Sequence, residues 1–213
     1  MNKSKIIAKG LLSIKAVFLS PNNPFIWTSG IKSPMYCDNR LTLSDVEVRR
    51  DVEQAIADVI RESYPTCEML MGTSTAGIAH AAIAAYLLDI PMGYVRENAK
   101  KHGRNKQIEG KFEKGQKIVV IEDLIATAGS CVEVVECLRE AGADVLGIVS
   151  IFDYEMKKGI ERLQNARIRY TSLVNLDLLL DVAASEGYIE KNAVPAIKSF
   201  RDNPSDESWM INY

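Results

Sequence analysis

The strongest constraint on the fold is a regular alternation of strand-like and helix-like segments between residues 67 and 172. Short apolar runs rich in β-branched residues predict strands at residues 67–71, 91–95, 117–121, 144–152 and 168–172. Helical patterns separate them at residues 77–88, 130–141 and 156–164. Strands that alternate with helices form right-handed βαβ units. The chain is therefore predicted to be an α/β protein with a mostly parallel sheet flanked by helices.

The two ends of the chain add further helices. Ile7, Leu11, Ile14 and Phe18 recur at helical spacing and predict an opening helix that reaches Phe18. Residues 25–38 predict short strands, and Ser44 with Glu47 forms a capping box that predicts the start of the next helix. Helices are predicted at residues 176–185 and 191–200, with Pro195 in the first turn of the second. We find no linker, so residues 1–213 are predicted to form one domain.

Composition narrows the class of protein. The chain has 213 residues, of which 47% are hydrophobic, and a net charge of −2, which argues against a nucleic-acid-binding protein held by bulk positive charge. The most apolar segment, residues 77–88, is shorter than the roughly 20 residues that a membrane span needs. The four cysteines contain no C-x-x-C pair, and residues 2–18 do not resemble a signal peptide. We therefore expect a cytoplasmic protein with reduced thiols.

Residues 118–130 carry the most chemical information. Residues 118–121 read as a strand buried on both faces, and Glu122 and Asp123 are expected to follow it. Residues 126–130, here called the phosphate loop, have small or hydroxyl side chains and lead into a helix. Ser130 is predicted to cap that helix, with Glu133 completing a capping box.

This arrangement favours a sugar phosphate. Small side chains let backbone N–H groups approach an anion, and a helix N-terminus adds partial positive charge. Two carboxylates beside such a site would repel phosphate, whereas they can accept hydrogen bonds from the vicinal hydroxyls of a sugar. The segment therefore predicts a ribose 5-phosphate site. The alternative is an ordinary strand–helix junction with solvated acids.

Other phosphate and nucleophile motifs fit less well. Gly72 and Gly77 have the Walker A spacing, but Ile78 and Ala79 occupy the positions of its Lys and Ser/Thr. Residues 72–76 miss the nucleophile-elbow pattern by one residue. Ser74 as a hydrolase nucleophile stays a lesser alternative, to be tested by geometry.

Residues 96–111, here called the basic segment, concentrate positive charge upstream of the phosphate loop. Six Lys and Arg residues stand against Glu97 and Glu109, which gives a local charge of +4. Such a segment suits a polyanionic ligand, and the alternative is a solvated charge run.

Four segments together resemble one enzyme family. Residues 122–130 resemble the phosphoribosyl pyrophosphate (PRPP) signature of type I phosphoribosyltransferases. The other three segments resemble the orotate phosphoribosyltransferase family. Residues 25–38 and 40–43 resemble its substrate segment, residues 72–79 its pyrophosphate loop, and residues 94–103 its mobile catalytic loop. The resemblance covers nearly the whole chain in the family's order.

The resemblance implies a type I phosphoribosyltransferase fold, with a hood at residues 1–43 and an α/β core with C-terminal helices at 44–213. It also implies transfer of ribose 5-phosphate from PRPP to N1 of orotate in pyrimidine nucleotide synthesis. Mg²⁺ is expected as the cofactor, held mainly through PRPP rather than by a protein metal site. A homodimer is expected, in which the basic segment completes the neighbouring site. No nucleic acid or membrane partner is expected.

The resemblance also assigns residues. Lys100 and His102 match catalytic residues, and Lys32, Tyr36, Cys37 and Ala126 match the orotate site. His80 is expected to be structural. The residues expected to bind PRPP are Ser74, Thr75, Arg96, Lys100, His102, Glu122, Asp123, Leu124, Ile125, Ala126, Thr127, Ala128, Gly129 and Ser130.

The sequence departs from the family pattern at Thr28, Glu97, Ala126 and Ala128. Ala126 removes a hydroxyl at the expected orotate site, and Ala128 replaces a usual Gly, which is harmless only if its φ is negative. Two alternatives therefore remain: a transferase that takes a purine base, and a non-catalytic regulator that senses PRPP.

Overall fold

The computed structural model describes residues 3–26, 30–96 and 107–210. Its helices are α1 (Lys3–Ser13), α2 (Val46–Ser63), α3 (Ala76–Leu88), α4 (Gly129–Glu140), α5 (Lys157–Asn165), α6 (Leu176–Ser185) and α7 (Ala193–Asp202). Its strands are β1 (Val17–Leu19), β2 (Phe25–Ile26), β3 (Lys32–Ser33), β4 (Met35–Cys37), β5 (Met69–Thr73), β6 (Met92–Val95), β7 (Ile108–Glu109), β8 (Lys117–Ile125), β9 (Asp144–Asp153) and β10 (Tyr170–Asn175).

The central sheet has six strands in the order β10-β9-β8-β5-β6-β7. All neighbours pair in parallel except β7, which runs antiparallel along the edge of β6. Strand β8 lies in the middle, so its side chains face helices on both sides. Val119 and Ile121 pack into one apolar core with α1, α2, α3, α6 and α7, while Ile118 and Val120 pack into a second with α4 and α5. The predicted parallel α/β architecture is confirmed.

The N-terminal region differs from the sequence prediction in two places. Helix α1 ends at Ser13, and Phe18 lies in β1 rather than on the helix, because β1 pairs antiparallel with β4. Helix α2 is capped by Asp45 rather than Ser44: the Asp45 side chain accepts hydrogen bonds from the N–H groups of Glu47 and Val48. A carboxylate one residue later can take the same role as the predicted serine.

Short strands do form in residues 25–38, as predicted. They build two small sheets, β1–β4 and β2–β3, which are joined by aromatic packing. The Phe25 ring lies 5.7 Å from the rings of both Phe18 and Tyr36. A 3₁₀ helix at Asn39–Ser44 then connects this region to α2. Helix α1 packs against α2 and α6 and contributes Ile7, Ala8, Leu11 and Leu12 to the main core.

The C-terminal helices follow the prediction closely. Asn175 caps α6 through its side chain, and Pro195 lies in the first turn of α7. Residues 203–210, here called the tail segment, return to the protein and bury Trp209 against Phe200. Within the described ranges, none of the helices combines the length and apolar character needed to cross a membrane.

Candidate active site

The two acids of the predicted sugar site lie inside β8 rather than after it. The strand continues to Ile125 because β9 pairs with it as far as Ile125 and Asp153. On the other side, β8 pairs with β5. Glu122 and Asp123 are therefore fixed by the sheet itself, near the carboxyl ends of the parallel strands, where open α/β sheets bind ligands.

Glu122 faces the interior. The residue is only 5% exposed. Its Oε1 accepts hydrogen bonds from Thr73 Oγ1 at 2.7 Å and from the Asp123 N–H at 3.0 Å. Burial, together with the neighbouring Asp123 carboxylate, raises the pKa of Glu122 to about 8. Burial therefore favours the protonated form of this carboxyl.

Asp123 is the more open of the two acids. Its residue is half-buried, and its backbone carbonyl accepts a hydrogen bond of 2.6 Å from the side-chain amide of Asn39. Asn39 is fully buried in the 3₁₀ helix that follows the predicted substrate segment. This contact ties the N-terminal region to the strand that carries the acids.

The phosphate loop ends at a helix without a side-chain cap. Ala128 occupies the N-cap position of α4, and its methyl side chain supplies no cap hydrogen bond to the first N–H groups of that helix. Ser130 lies inside α4, and its Oγ is 3.5 Å from Glu122 Oε2, so the predicted Ser130–Glu133 capping box is wrong. The helix therefore begins one residue earlier and leaves its N-terminal amides open to an anion.

Ala128 adopts a left-handed conformation, with φ 55° and ψ 17°. A residue with a β-carbon is strained there, so the condition under which this alanine would be harmless is not met. The neighbouring loop is braced from outside: Arg162 Nη1 donates a hydrogen bond of 2.9 Å to the Thr127 carbonyl. Gly159 permits close packing as well, because a β-carbon there would lie 2.4 Å from the Ala126 carbonyl oxygen.

The predicted pyrophosphate loop lies at the carboxyl end of β5, next to β6. The backbone N–H and the hydroxyl of Ser74 both donate to the Val95 carbonyl, at 3.2 and 2.8 Å. The peptide bond between Ser74 and Thr75 is cis. Because its hydroxyl donates to a carbonyl instead of an imidazole, Ser74 lacks the geometry of a hydrolase nucleophile.

A cleft of about 730 Å³ brings three of the predicted segments together. Ser74 and Arg96 line one side of it, and Gly129 and Ser130 line the other. The guanidinium of Arg96 also pairs with Glu109 at 3.1 Å. Lys100 and His102 lie outside the described residues.

The residues predicted to bind orotate are only partly brought together. Tyr36 and Cys37 lie on β4. Burial raises the pKa of the Cys37 thiol well above its ordinary value, and the negative charge of Asp123 adds to this effect. Lys32 instead directs its ammonium to Glu207 in the tail segment, at 3.0 Å.

Sequence reasoning missed Tyr154, which follows β9 and is buried. Burial raises the pKa of this phenol well above its ordinary value, and the nearby Cys37 and Tyr36 add smaller contributions in the same direction. Its backbone N–H donates to the Ile125 carbonyl at 3.0 Å, which places it beside the end of β8. The one feature of the sequence that could have pointed to Tyr154 is its position directly after the carboxyl end of a predicted strand.

His80 has the surroundings expected of a structural residue. It is fully buried, and its Nδ1 lies 2.5 Å from Glu53 Oε1 on α2. Burial raises the pKa of Glu53. The pair joins α2 to α3 away from the cleft.

The chain is similar to known proteins along most of its length. Residues 44–174 match the model of the phosphoribosyl transferase domain family. The orotate phosphoribosyltransferase of Bacillus cereus (strain G9842) is 53% identical over 206 residues, which cover 97% of this chain and 98% of that protein. The same identity and coverage are found for an orotate phosphoribosyltransferase of Bacillus anthracis.

Two solved structures are similar as well. The structure of Leishmania donovani UMP synthase superposes with a TM-score of 0.79 at 28% identity, covering 93% of this chain and 42% of that one. Orotate phosphoribosyltransferase from Aeropyrum pernix superposes with a TM-score of 0.73 at 28% identity, covering 86% of this chain and 99% of that one. Because the family model matches residues 44–174 and the curated relatives are 53% identical over 97% of the chain, the chain belongs to the orotate phosphoribosyltransferase family of type I phosphoribosyltransferases.

Proposed function

We propose that this chain transfers the ribose 5-phosphate group of PRPP to N1 of orotate and releases orotidine 5′-monophosphate and pyrophosphate. This reaction belongs to de novo pyrimidine synthesis. The observation that carries the proposal is the cleft in which Ser74 and Arg96 lie with Gly129 and Ser130 at the uncapped start of α4. Asp123 lies on β8, the strand that leads into this helix. The family relationship supports the choice of orotate as the acceptor.

Each part of the site suits one part of PRPP. The backbone amides of the phosphate loop and α4 suit the 5-phosphate, because they present N–H groups and the positive end of a helix. The half-exposed Asp123 suits the ribose hydroxyls, which donate to a carboxylate. Ser74, Thr75 and Arg96 suit the pyrophosphate, whose negative charge grows as the bond to the ribose breaks.

Lys100 and His102 are proposed as the catalytic residues on the basis of the family resemblance. A cation there would stabilise the departing pyrophosphate, and a histidine can also pass it a proton. By the same resemblance the active form is proposed to be a homodimer, in which the basic segment completes the neighbouring site. We place the reaction in the cytoplasm.

Mg²⁺ fits the proposed site as a partner of PRPP. Among the residues that the structure describes, no group of three or more His, Cys, Asp or Glu side chains is arranged to hold a metal. Magnesium commonly binds through one or two carboxylates, several waters and substrate phosphates, and the half-exposed Asp123 can supply such a carboxylate. When bound, the ion would neutralise part of the pyrophosphate charge.

Orotate consumption with PRPP and Mg²⁺, followed spectrophotometrically beside hypoxanthine and adenine, tests the proposal. We expect turnover with orotate. Turnover with a purine instead would identify the purine-base alternative, and PRPP binding without turnover of any base would identify the regulator.

The role of Asp123 is tested by Asp123→Asn. We expect the KM for PRPP to rise about tenfold, because a hydrogen bond to a charged group is weakened. Asp144→Asn is the matched control, since Asp144 is exposed at the opposite end of the sheet, where β9 begins. Equal PRPP kinetics for the two variants would rule out the ribose contact.

A further inference from the structure

The tail segment is held in the fold by specific contacts. Trp209 is only 1% exposed, and its ring packs edge-on against Phe200 with a centroid distance of 5.9 Å. Upstream, Asp206 accepts a hydrogen bond from the Ser208 N–H at 2.9 Å and donates its own N–H to the Asn203 carbonyl at 3.0 Å. These contacts give the tail segment a fixed place in the fold.

Glu207 projects from the tail segment to the N-terminal region. Its Oε2 lies 3.0 Å from Lys32 Nζ, although the two residues are 175 positions apart. Lys32 lies on β3, which pairs with β2 through Ile26–Lys32 and Phe25–Ser33. Phe25 in turn packs against Tyr36, a residue predicted to contact orotate. A continuous set of contacts thus runs from Glu207 to Tyr36.

The tail segment also forms one wall of a second cavity, of about 450 Å³. Pro204 and Ser205 line this wall, Ile31 lines the cavity from beside β3, and Thr127 lines it from the phosphate loop. The space between the N-terminal strands and the phosphate loop is therefore shaped by the tail segment.

We propose that the tail segment is a positioning element for the base-binding side of the active site. Trp209 anchors it to the core, and Glu207 holds Lys32, and with it β2 and β3, in place across the cavity from Thr127. In this arrangement Lys32 is a positioning residue, and its contact is with Glu207 rather than with orotate. The inference rests on the proposed function, because it concerns how that site takes its base.

The first test is Glu207→Gln, which removes the charge and keeps the size of the side chain. The ion pair is exposed, with 43% and 60% of the Lys32 and Glu207 side chains accessible, so a modest effect is expected. We expect the KM for orotate to rise about two- to fivefold, with the KM for PRPP and kcat unchanged. Glu190→Gln is the matched control, because Glu190 is an exposed glutamate between α6 and α7. An unchanged orotate KM in Glu207→Gln would overturn the inference.

The second test exchanges the two charges. Lys32→Glu alone places two carboxylates together, so we expect a larger rise in the orotate KM than Glu207→Gln gives. The double variant Lys32→Glu with Glu207→Lys restores the pair in reverse, and we expect its orotate KM to return to within about twofold of the wild type. Failure of the exchange to restore it would overturn the inference, since that is the result expected if Lys32 acts on orotate directly.

A global effect on folding is separated by the pattern of constants. If Glu207→Gln lowers the melting temperature and raises both KM values together, the tail segment stabilises the whole fold and is not a positioning element. The wild type is assayed in the same series: if it does not turn over orotate, the proposed function fails and the inference falls with it. If it turns over orotate and the variants match it, only the inference fails.

Discussion

Ala128→Gly tests the meaning of the left-handed residue at the start of α4. Ala128 is only 4% exposed and has a φ of 55°, where contact between its β-carbon and the backbone costs about 1–2 kcal/mol. Glycine removes that cost. It also loses a buried methyl group and adds conformational freedom to the unfolded chain, worth about 0.4–1 kcal/mol. The opposing contributions leave Ala128→Gly within about 1 kcal/mol of the wild type in free energy of unfolding.

Ala126→Gly is the matched control, because it makes the same chemical change two residues earlier. Ala126 does not have a positive φ, so glycine relieves no strain there. As at Ala128, glycine adds freedom to the unfolded chain and removes a methyl group that packs against the core. The difference between the two variants therefore isolates the backbone strain. We expect Ala128→Gly to be more stable than Ala126→Gly by about 1–2 kcal/mol.

Thermal unfolding and urea titration of both variants measure this difference. For a chain of this size about 1 kcal/mol corresponds to roughly 2–4 °C, so we expect the melting temperatures to differ by about 2–8 °C. Equal stability, or an Ala126→Gly variant that is the more stable, would refute the argument that Ala128 is strained.

Two further predictions concern the place where β5, β8 and α3 meet. Burial raises the pKa of Glu122 to about 8 from an ordinary 4.5, so its protonated form favours folding, and wild-type stability should fall as the pH rises from about 4.5 through 8. Glu122→Gln should flatten this fall in melting temperature across that range, and an identical profile would contradict the assigned pKa. Gly77→Ala would place a β-carbon 2.4 Å from the Ile121 carbonyl oxygen and 2.6 Å from Thr73 Oγ1. We expect a loss of about 3 kcal/mol by urea unfolding. Gly10→Ala, whose β-carbon would lie 3.1 Å from the Val48 side chain rather than against backbone, should lose less than about 1 kcal/mol.

Local patterns predicted the elements that fill the core. The β-branched run at residues 118–121 identified β8, and its burial on both faces is confirmed. The end of β8 could not be predicted from the same pattern, since it depends on how far β9 pairs alongside it. Likewise β5 was predicted at residues 67–71 but spans Met69–Thr73, where β6 and β8 supply partners.

The contacts that shape the site lie beyond local sequence. Asn39 reaches the Asp123 carbonyl across 84 positions, and Arg162 reaches the Thr127 carbonyl across 35. Neither side chain stands in a motif of its own, so only the folded chain brings it to its partner. The cap of α4 is a similar case. Ser130 is a residue type that often caps helices, but α4 begins before it, at Gly129. Gly159 packs closely against Ala126 in the loop just before this helix, a contact that local sequence does not reveal.

The short strand β7 has a consequence for behaviour at high concentration. It covers part of the hydrogen-bonding edge of β6 with Ile108 and Glu109, and it can do so because Gly93 has no side chain: a β-carbon there would lie 2.5 Å from the Glu109 carbonyl. Exposed strand edges recruit strands from other molecules, and a covering strand with a charged residue blocks that route. A bulky substitution at Gly93 would therefore displace β7 and expose the edge of β6 to strands of other molecules. We expect such a variant to aggregate at high concentration.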